Sequence, residues 1–204
     1  MASNPACIEF WFDFGSPYSY LSMMRIDALT AAAGLTLIYR PFLLGPIFKA
    51  LGYDTSPFVA HPEKGRYMWR DMQRQSEKQG LPFHKPSLFP RNALLATRVA
   101  MLGENTPWIR NYCRAIMRQN FEADQDISLR SNVVSALHGL VPDADALVVA
   151  AGDESNKQRL RQQVAIAQHL GIFGAPTFFV GDEMYWGNDR LDDAIAQAKQ
   201  AGRL

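Results

Sequence analysis

A chain of 204 residues that is 48% hydrophobic and 20% charged has the composition of a folded globular protein. At that length about 70% of the surface an unfolded chain exposes is buried on folding, so neither a disulfide nor a metal is needed as a staple. The formal net charge is +1 and the 21 basic residues are dispersed, which excludes the clustered footprint of a nucleic-acid partner. Apolar runs such as 175–180 fall far short of the roughly 20 residues that span a bilayer. Residues 1–6 lack the basic start and apolar core of a signal peptide, so a soluble cytoplasmic protein with no membrane partner is expected.

The stretch Cys7–Phe14 (CIEFWFDF) is aromatic and reads as a strand, with Ile8, Phe10, Phe12 and Phe14 on one face. Trp11 and Cys7 share the other face with Glu9 and Asp13, which suits a strand covered on both sides. Gly15-Ser16-Pro17 ends it, and Pro17 fits the first turn of a helix. Tyr18–Ala33 then carries helical spacing, closed by Gly34. Leu35–Arg40 is a second strand, ended by Pro41, so the opening is a β-α-β unit.

From Pro41 to Pro62 the chain is punctuated by Gly and Pro, longer than a compact domain usually carries without a use for it. Helical patterns follow at about Lys64–Gln79, Pro90–Leu102, Pro107–Asn120, Ser128–Leu137, Ala144–Ala151 and Glu154–His169. Between the first two, Gly80–Pro90 holds three prolines and no helix. Strand character returns at Thr177–Val180, turns at Gly181-Asp182 and runs back over Glu183–Trp186. Gly187-Asn188-Asp189 leads into a final helix, Leu191–Gln200. This order predicts an α/β fold: a small mixed-sheet domain from 1–41 and 170–204, with an all-helical domain, 42–169, inserted.

Cys7 and Cys113 are the only cysteines, and their separation excludes a CxxC redox pair or a CxxC zinc site. Spacing leaves a Cys7–Cys113 bridge open beside the reading as two small buried hydrophobes in a reducing compartment. The four histidines, His61, His84, His138 and His169, show no metal-ligand spacing, so no metal is expected.

The layout, with Ser16-Pro17-Tyr18-Ser19 after the first strand, resembles the thioredoxin superfamily, in which the equivalent turn is C-P-x-C. A closer resemblance is to 2-hydroxychromene-2-carboxylate isomerases and the related kappa-class glutathione transferases, which are DsbA-like with a helical insertion. The stretches FWFDFGSPYSY, KGRYMWRDMQRQ and GAPTFFVGDEMYWGNDRL carry it, in family order across essentially the whole chain. The resemblance implies a thioredoxin-like fold, glutathione as cofactor, a small aromatic 2-oxo-acid substrate and a homodimer.

Ser16 is by local sequence a helix N-cap. Helix-start N–H groups also favour an anion, and a serine hydroxyl can donate to a thiolate without forming a disulfide. One unit of depression, or roughly 1.4 kcal/mol, raises the thiolate share of a thiol near pKa 8.5 from about 3% to about 24% at pH 7. By resemblance Ser16 is therefore the catalytic residue. Pro176 is locally an edge-strand starter; by resemblance it is cis, and Ala175 before it pairs its main chain with glutathione. Asn188 and Asp189 read locally as a turn and cap, and by resemblance hold the γ-glutamyl end. Lys64 is by resemblance the partner of the glycine carboxylate.

A planar substrate wants an aromatic lining with a few polar groups, for which the candidates are Phe12, Tyr18, Trp69, His84 and Trp186. Arg40 or Arg91 is a candidate partner for a substrate carboxylate. The related readings are a kappa-type transferase or peroxidase, which consumes the thiol, and a glutathione- or protein-binding module without catalysis. Thiol–disulfide exchange is disfavoured because both motif positions are serine.

Overall fold

The computed structural model describes residues 7–201. Residues 1–6, on which the signal-peptide expectation rests, lie outside that range. The first strand, β1 (Cys7–Phe12), is followed by α1 (Pro17–Ala33) and β2 (Thr36–Pro41). The helices α2 (Leu44–Ala50), α3 (Pro57–Ala60), α4 (Pro62–Gln79), α5 (Leu94–Leu102) and α6 (Ile109–Phe121) come next. Then come α7 (Arg130–Ser135), α8 (Ala144–Ala150), α9 (Glu154–His169), β3 (Thr177–Val180), β4 (Glu183–Trp186), a 3-10 turn (Asn188–Arg190) and α10 (Leu191–Ala201). The four strands form one sheet in the order β2-β1-β3-β4, with β1 and β2 parallel and the other pairs antiparallel.

The sheet is covered on both faces, and the alternation in β1 decides what goes where. Ile8, Phe10 and Phe12, with Phe14 just beyond the strand, enter the larger core with α1, α6 and Phe178. Trp11 points the other way, into a second cluster with Phe42, Leu160 of α9 and Phe179. Glu9 stays tolerable at this depth because it accepts from the Trp11 indole at 3.0 Å and pairs with Arg40 at 2.7 Å. The larger core runs from β1 through α1 into Met68, Met72, Tyr112 and Ile116 of the helical segment.

Three expectations about elements need correction. The 41–62 stretch holds two helices, α2 and α3, where the sequence suggested none. Pro57 sits in the first turn of α3, and the Ser56 hydroxyl caps it by accepting from Phe58 N at 3.3 Å. Next, α5 starts at Leu94 and not at Pro90, because Asn92 Oδ1 accepts from Leu94 N at 2.9 Å and begins the helix there. Finally, both cysteines are free and only Cys113 is buried. Cys7 is exposed because it opens β1 at the margin of the sheet, opposite Thr36.

Candidate active site

The chain enters the site where β1 hands over to α1. Ser16 has extended backbone (φ −88°, ψ 118°), Pro17 follows it, and the Ser16 Oγ accepts from Ser19 N at 3.2 Å. The local N-cap reading is therefore correct. The same hydroxyl also donates to the carbonyl of Ala175 at 2.9 Å, across the sheet ends. Ser16 is 6% exposed, so this hydroxyl closes the floor of the site more than it projects from it.

Ala175 and Pro176 are joined by a cis peptide bond. The Pro176 carbonyl accepts from Gly187 N at 2.9 Å, which ties this loop to the end of β4. Thr177 Oγ1 donates back to Gly174 O at 2.9 Å, closing the loop from the strand side. Ala175, between them, is half-buried.

Asn188 is buried, and its Oδ1 accepts from Ser22 Oγ at 3.0 Å, one turn and a half along α1 from Ser16. Its carbonyl oxygen is thus turned into the fold. Asp189 is exposed and pairs with Arg190 at 3.1 Å. It stands close enough to Tyr18 to contribute to raising that phenol's pKa.

Tyr18 is half-buried and donates to Asp71 Oδ2 of α4 at 2.8 Å. Burial first, and then the Asp71 carboxylate, hold its phenol protonated well above the ordinary tyrosine range. Lys64 lies seven residues before Asp71 on α4, hence on nearly the same face and about 10 Å along the axis. It is exposed and forms no ion pair among the described residues. Tyr18 thus lies beside the Asp71 carboxylate of α4 and within electrostatic reach of Asp189.

The proposed aromatic lining divides. Phe12 is fully buried among Phe10, Phe14 and Tyr39, with ring centroids at 4.9, 5.4 and 6.1 Å, so it is core and not pocket. Trp69 packs against Phe83 and Phe89 of the Pro-rich loop, with Lys85 Nζ 5.5 Å from its ring. It lies on the opposite flank of α4 from Lys64 and Asp71, which explains why it anchors that loop. His84 is exposed and faces Asp124, 3.8 Å from Nε2, on the Arg91 side. Trp186 is 52% exposed and stacks edge-on with Phe173, itself 41% exposed, at 4.6 Å. A Cβ on Gly174 would lie 2.4 Å from the indole nitrogen, so only glycine lets the ring rest against this loop. Phe173 lies just before the GAPTFFVGDEMYWGNDRL stretch, so its only signal was its place before Gly174-Ala175-Pro176.

Neither arginine is free for a substrate carboxylate. Arg40 is committed to Glu9 and Glu104, and Arg91 is buried and bonded to Asn120, Ser87 and Asp124. Asp13 is a buried carboxylate the sequence reading passed over. Its Oδ1 accepts from Gly15 N and its Oδ2 from Leu44 N, each at 2.7 Å. Burial raises its pKa, and the two backbone N–H groups only partly offset this. The signal was its place in FDFGSP, an acid at a strand end three residues before the turn serine.

A DsbA-like thioredoxin domain matches residues 7–198. The chain belongs to the DsbA-like thioredoxin family. Within this family it is 30% identical over 189 residues to a 2-hydroxychromene-2-carboxylate isomerase of Pseudomonas putida, covering 90% of each chain. It is 26% identical to glutathione S-transferase kappa 1 of Rattus norvegicus, covering 94% of this chain and 90% of that one. A solved structure of 2-hydroxychromene-2-carboxylate isomerase superimposes with a TM-score of 0.87 at 26% identity, over 97% and 96% of the two chains. Among DsbA-like proteins this chain has a serine where the redox turn would place its first cysteine.

A recess of about 650 Å³ lies along the outer edge of β2, lined by Leu37, Tyr39, Glu104 and Arg110 among others, and includes none of the candidate residues. It is open and largely polar. Ser16 meets Ala175 of the cis-proline loop elsewhere in the fold. No helix among the described residues is long and apolar enough to cross a membrane.

Proposed function

We propose that this chain is a glutathione-dependent isomerase of 2-hydroxychromene-2-carboxylate-type substrates, working in aromatic-compound breakdown. The observation that carries the reading is the Ser16 hydroxyl, set at a helix start and against Ala175 of the cis-proline loop. The relatives of comparable length, named as such isomerases, support the substrate class.

The donor set suits glutathione. That tripeptide carries a thiol, a free amine and two carboxylates, and the site offers a hydroxyl, a carboxylate (Asp189), a cation (Lys64) and the main chain at Ala175. When bound, glutathione supplies a thiolate that adds reversibly to an electron-poor carbon of an α,β-unsaturated 2-oxo acid, so that the former double bond can rotate. The chain's own part is electrostatic. Rotation about Cβ–Oγ moves the Ser16 proton from the Ala175 carbonyl to an incoming anion while Ser19 N–H still holds the oxygen. One hydrogen bond is exchanged for a charge-assisted one, which is roughly twice as strong. Ser16 is a stabiliser here and not a covalent nucleophile, since no histidine stands beside it to take its proton.

Asp189, a carboxylate, suits the free amine of the tripeptide, and Lys64, a cation, suits its glycine carboxylate. The Asn188 Oδ1 is held by Ser22, which leaves its Nδ2 and its main-chain N–H as donors for a ligand carboxylate. Of the aromatic candidates, Tyr18 and Trp186, joined by Phe173, are left to receive a planar substrate. As part of the same reading the chain is a cytoplasmic homodimer; two unbridged cysteines suit a reducing compartment.

The test is isomerisation of a hydroxychromene carboxylate with trace glutathione. Many turnovers per thiol without net thiol loss support the reading. Stoichiometric thiol loss supports the second reading, a kappa-type transferase, which the rat relative favours. Binding of glutathione without turnover in either assay leaves a non-catalytic binding module.

A further inference from the structure

The turn that presents Ser16 is held at three consecutive backbone positions. Ser16 N–H donates to the Asp13 carbonyl at 3.0 Å and Gly15 N–H to the Asp13 carboxylate at 2.7 Å. The third tie is remote: the Phe14 carbonyl accepts from Asn120 Nδ2 at 2.8 Å, 106 positions further along the chain. Asn120 lies on α6 and is 1% exposed.

Behind Asn120 stands Arg91, whose side chain is 2% exposed. Its Nη1 donates to Asn120 Oδ1 at 3.0 Å and to the Asn120 carbonyl at 3.2 Å. Its Nη2 donates to Ser87 Oγ at 3.2 Å and to the Asp124 carbonyl at 3.0 Å, and pairs with the Asp124 carboxylate. Guanidinium has donors only. It therefore fixes which end of the Asn120 amide faces it, and the NH2 end is left pointing at Phe14. The Arg91 main chain also closes on the turn, its carbonyl 3.4 Å from where a Cβ on Gly15 would stand. Holding a loop does not by itself require a buried cation, whose desolvation is costly. Here the guanidinium, with donors only, also selects one orientation of the Asn120 amide.

We propose that Asn120, oriented by Arg91, is a positioning residue for Ser16: through the Phe14 carbonyl the helical segment sets the angle at which the turn and its hydroxyl meet the bound thiol. This inference rests on the glutathione reading of the site. Its consequence is that the thiol's ionisation depends on a side chain that touches neither glutathione nor substrate.

The decisive variant is Asn120→Asp. It keeps the shape and the pairing with Arg91 but turns an oxygen toward the Phe14 carbonyl in place of a donor. Asp124→Asn is the second variant, slackening Arg91 from its solvent-facing end. Gln119→Ala is the control: it removes the bonds of α6 to Asn132 O and Ser135 Oγ and leaves the turn untouched. Glutathione-bound protein is titrated by the ultraviolet absorbance of its thiolate, and kcat and KM are measured alongside. Asn120→Asp is expected to raise the bound thiol's apparent pKa by about half a unit or more and to lower kcat roughly tenfold, with substrate KM within about twofold. Asp124→Asn should shift the pKa in the same direction by less, and Gln119→Ala should leave it in place. A folded Asn120→Asp protein with the wild-type thiol pKa overturns the inference, as does an equal shift in Gln119→Ala. If Asn120→Asp does not fold, an unshifted Asp124→Asn overturns it. A wild-type protein that leaves the thiol at its free value of about 8.5 overturns the reading of the site as well, so the two failures are distinguishable.

Discussion

The Ser16 hydroxyl donates to the Ala175 carbonyl at 2.9 Å, joining residues 159 positions apart at the mouth of the fold. This contact closes the two halves of the thioredoxin-like layout over one point. It also gives the serine proton a resting acceptor that a thiolate can displace.

The first prediction concerns Asp13, whose two oxygens each take a backbone N–H, from Gly15 and from Leu44. Asparagine offers one acceptor oxygen, so Asp13→Asn leaves a buried N–H facing an NH2 group and costs about 1–3 kcal/mol. The pH dependence has a definite sign. Burial raises the folded pKa of Asp13 above its ordinary 3.8, so its stabilising contribution is full below that value and is lost as pH rises through the folded pKa. The stability gap between wild type and Asp13→Asn should therefore be widest in acid and narrow toward neutral pH. Urea midpoints across pH read this directly.

Asp124 behaves oppositely. The Ser87 N–H first, and then Arg91, hold its carboxyl below the ordinary 3.8. Its contribution is present above that value and is lost as pH falls through the folded pKa. The gap between wild type and Asp124→Asn should shrink in acid, below about pH 4. A gap that widens there would contradict the assignment.

Gly174→Ala should lift the Trp186 indole off the loop, because a Cβ would stand 2.4 Å from the ring nitrogen. Trp186 is more than half exposed and can swing aside, so the cost in stability should be within about 0.5 kcal/mol. The variant should show altered tryptophan fluorescence and a raised KM for an aromatic substrate, with glutathione affinity less affected. Unchanged KM would remove Trp186 and Phe173 from the substrate's surroundings.

Tyr18→Phe removes the bond to Asp71 and keeps the ring. Because burial and Asp71 keep the phenol protonated far into alkali, Tyr18 contributes no limb to a pH–rate profile below about pH 10. The variant should therefore lower kcat/KM without changing the profile's shape. A lost alkaline limb would assign the phenol a proton-transfer role instead.

Much of this was legible in the sequence because local chemistry and fold agreed there. The alternation of Ile8, Phe10 and Phe12 against Trp11 set the two faces of β1, and Ser16-Pro17 announced a capped helix with the residues themselves. Pairings over long separations were not legible. Nothing in the letters near Arg91 says that its partner is Asn120, so it reads as a candidate for a substrate carboxylate until its acceptors are seen. The same holds for Phe12, Trp69 and His84, whose aromatic character fits a pocket or a core equally well. The face of β1 decided it for Phe12, the flank of α4 for Trp69, and an exposed loop beside Asp124 for His84. The helices α2 and α3 were missed because proline marks helix starts and loop turns alike.

In the proposed reading, Ser16 keeps a bound thiol ionised. The measurement that tests it most directly is the apparent pKa of glutathione bound to wild type and to Ser16→Ala, read by thiolate absorbance. A charge-assisted hydrogen bond of about 1.5–3 kcal/mol corresponds to roughly one to two pKa units. Wild type should hold the bound thiol well below 8.5, and Ser16→Ala should raise it by about that size, with the fold intact and kcat falling in step. The same thiol pKa in both proteins would contradict it.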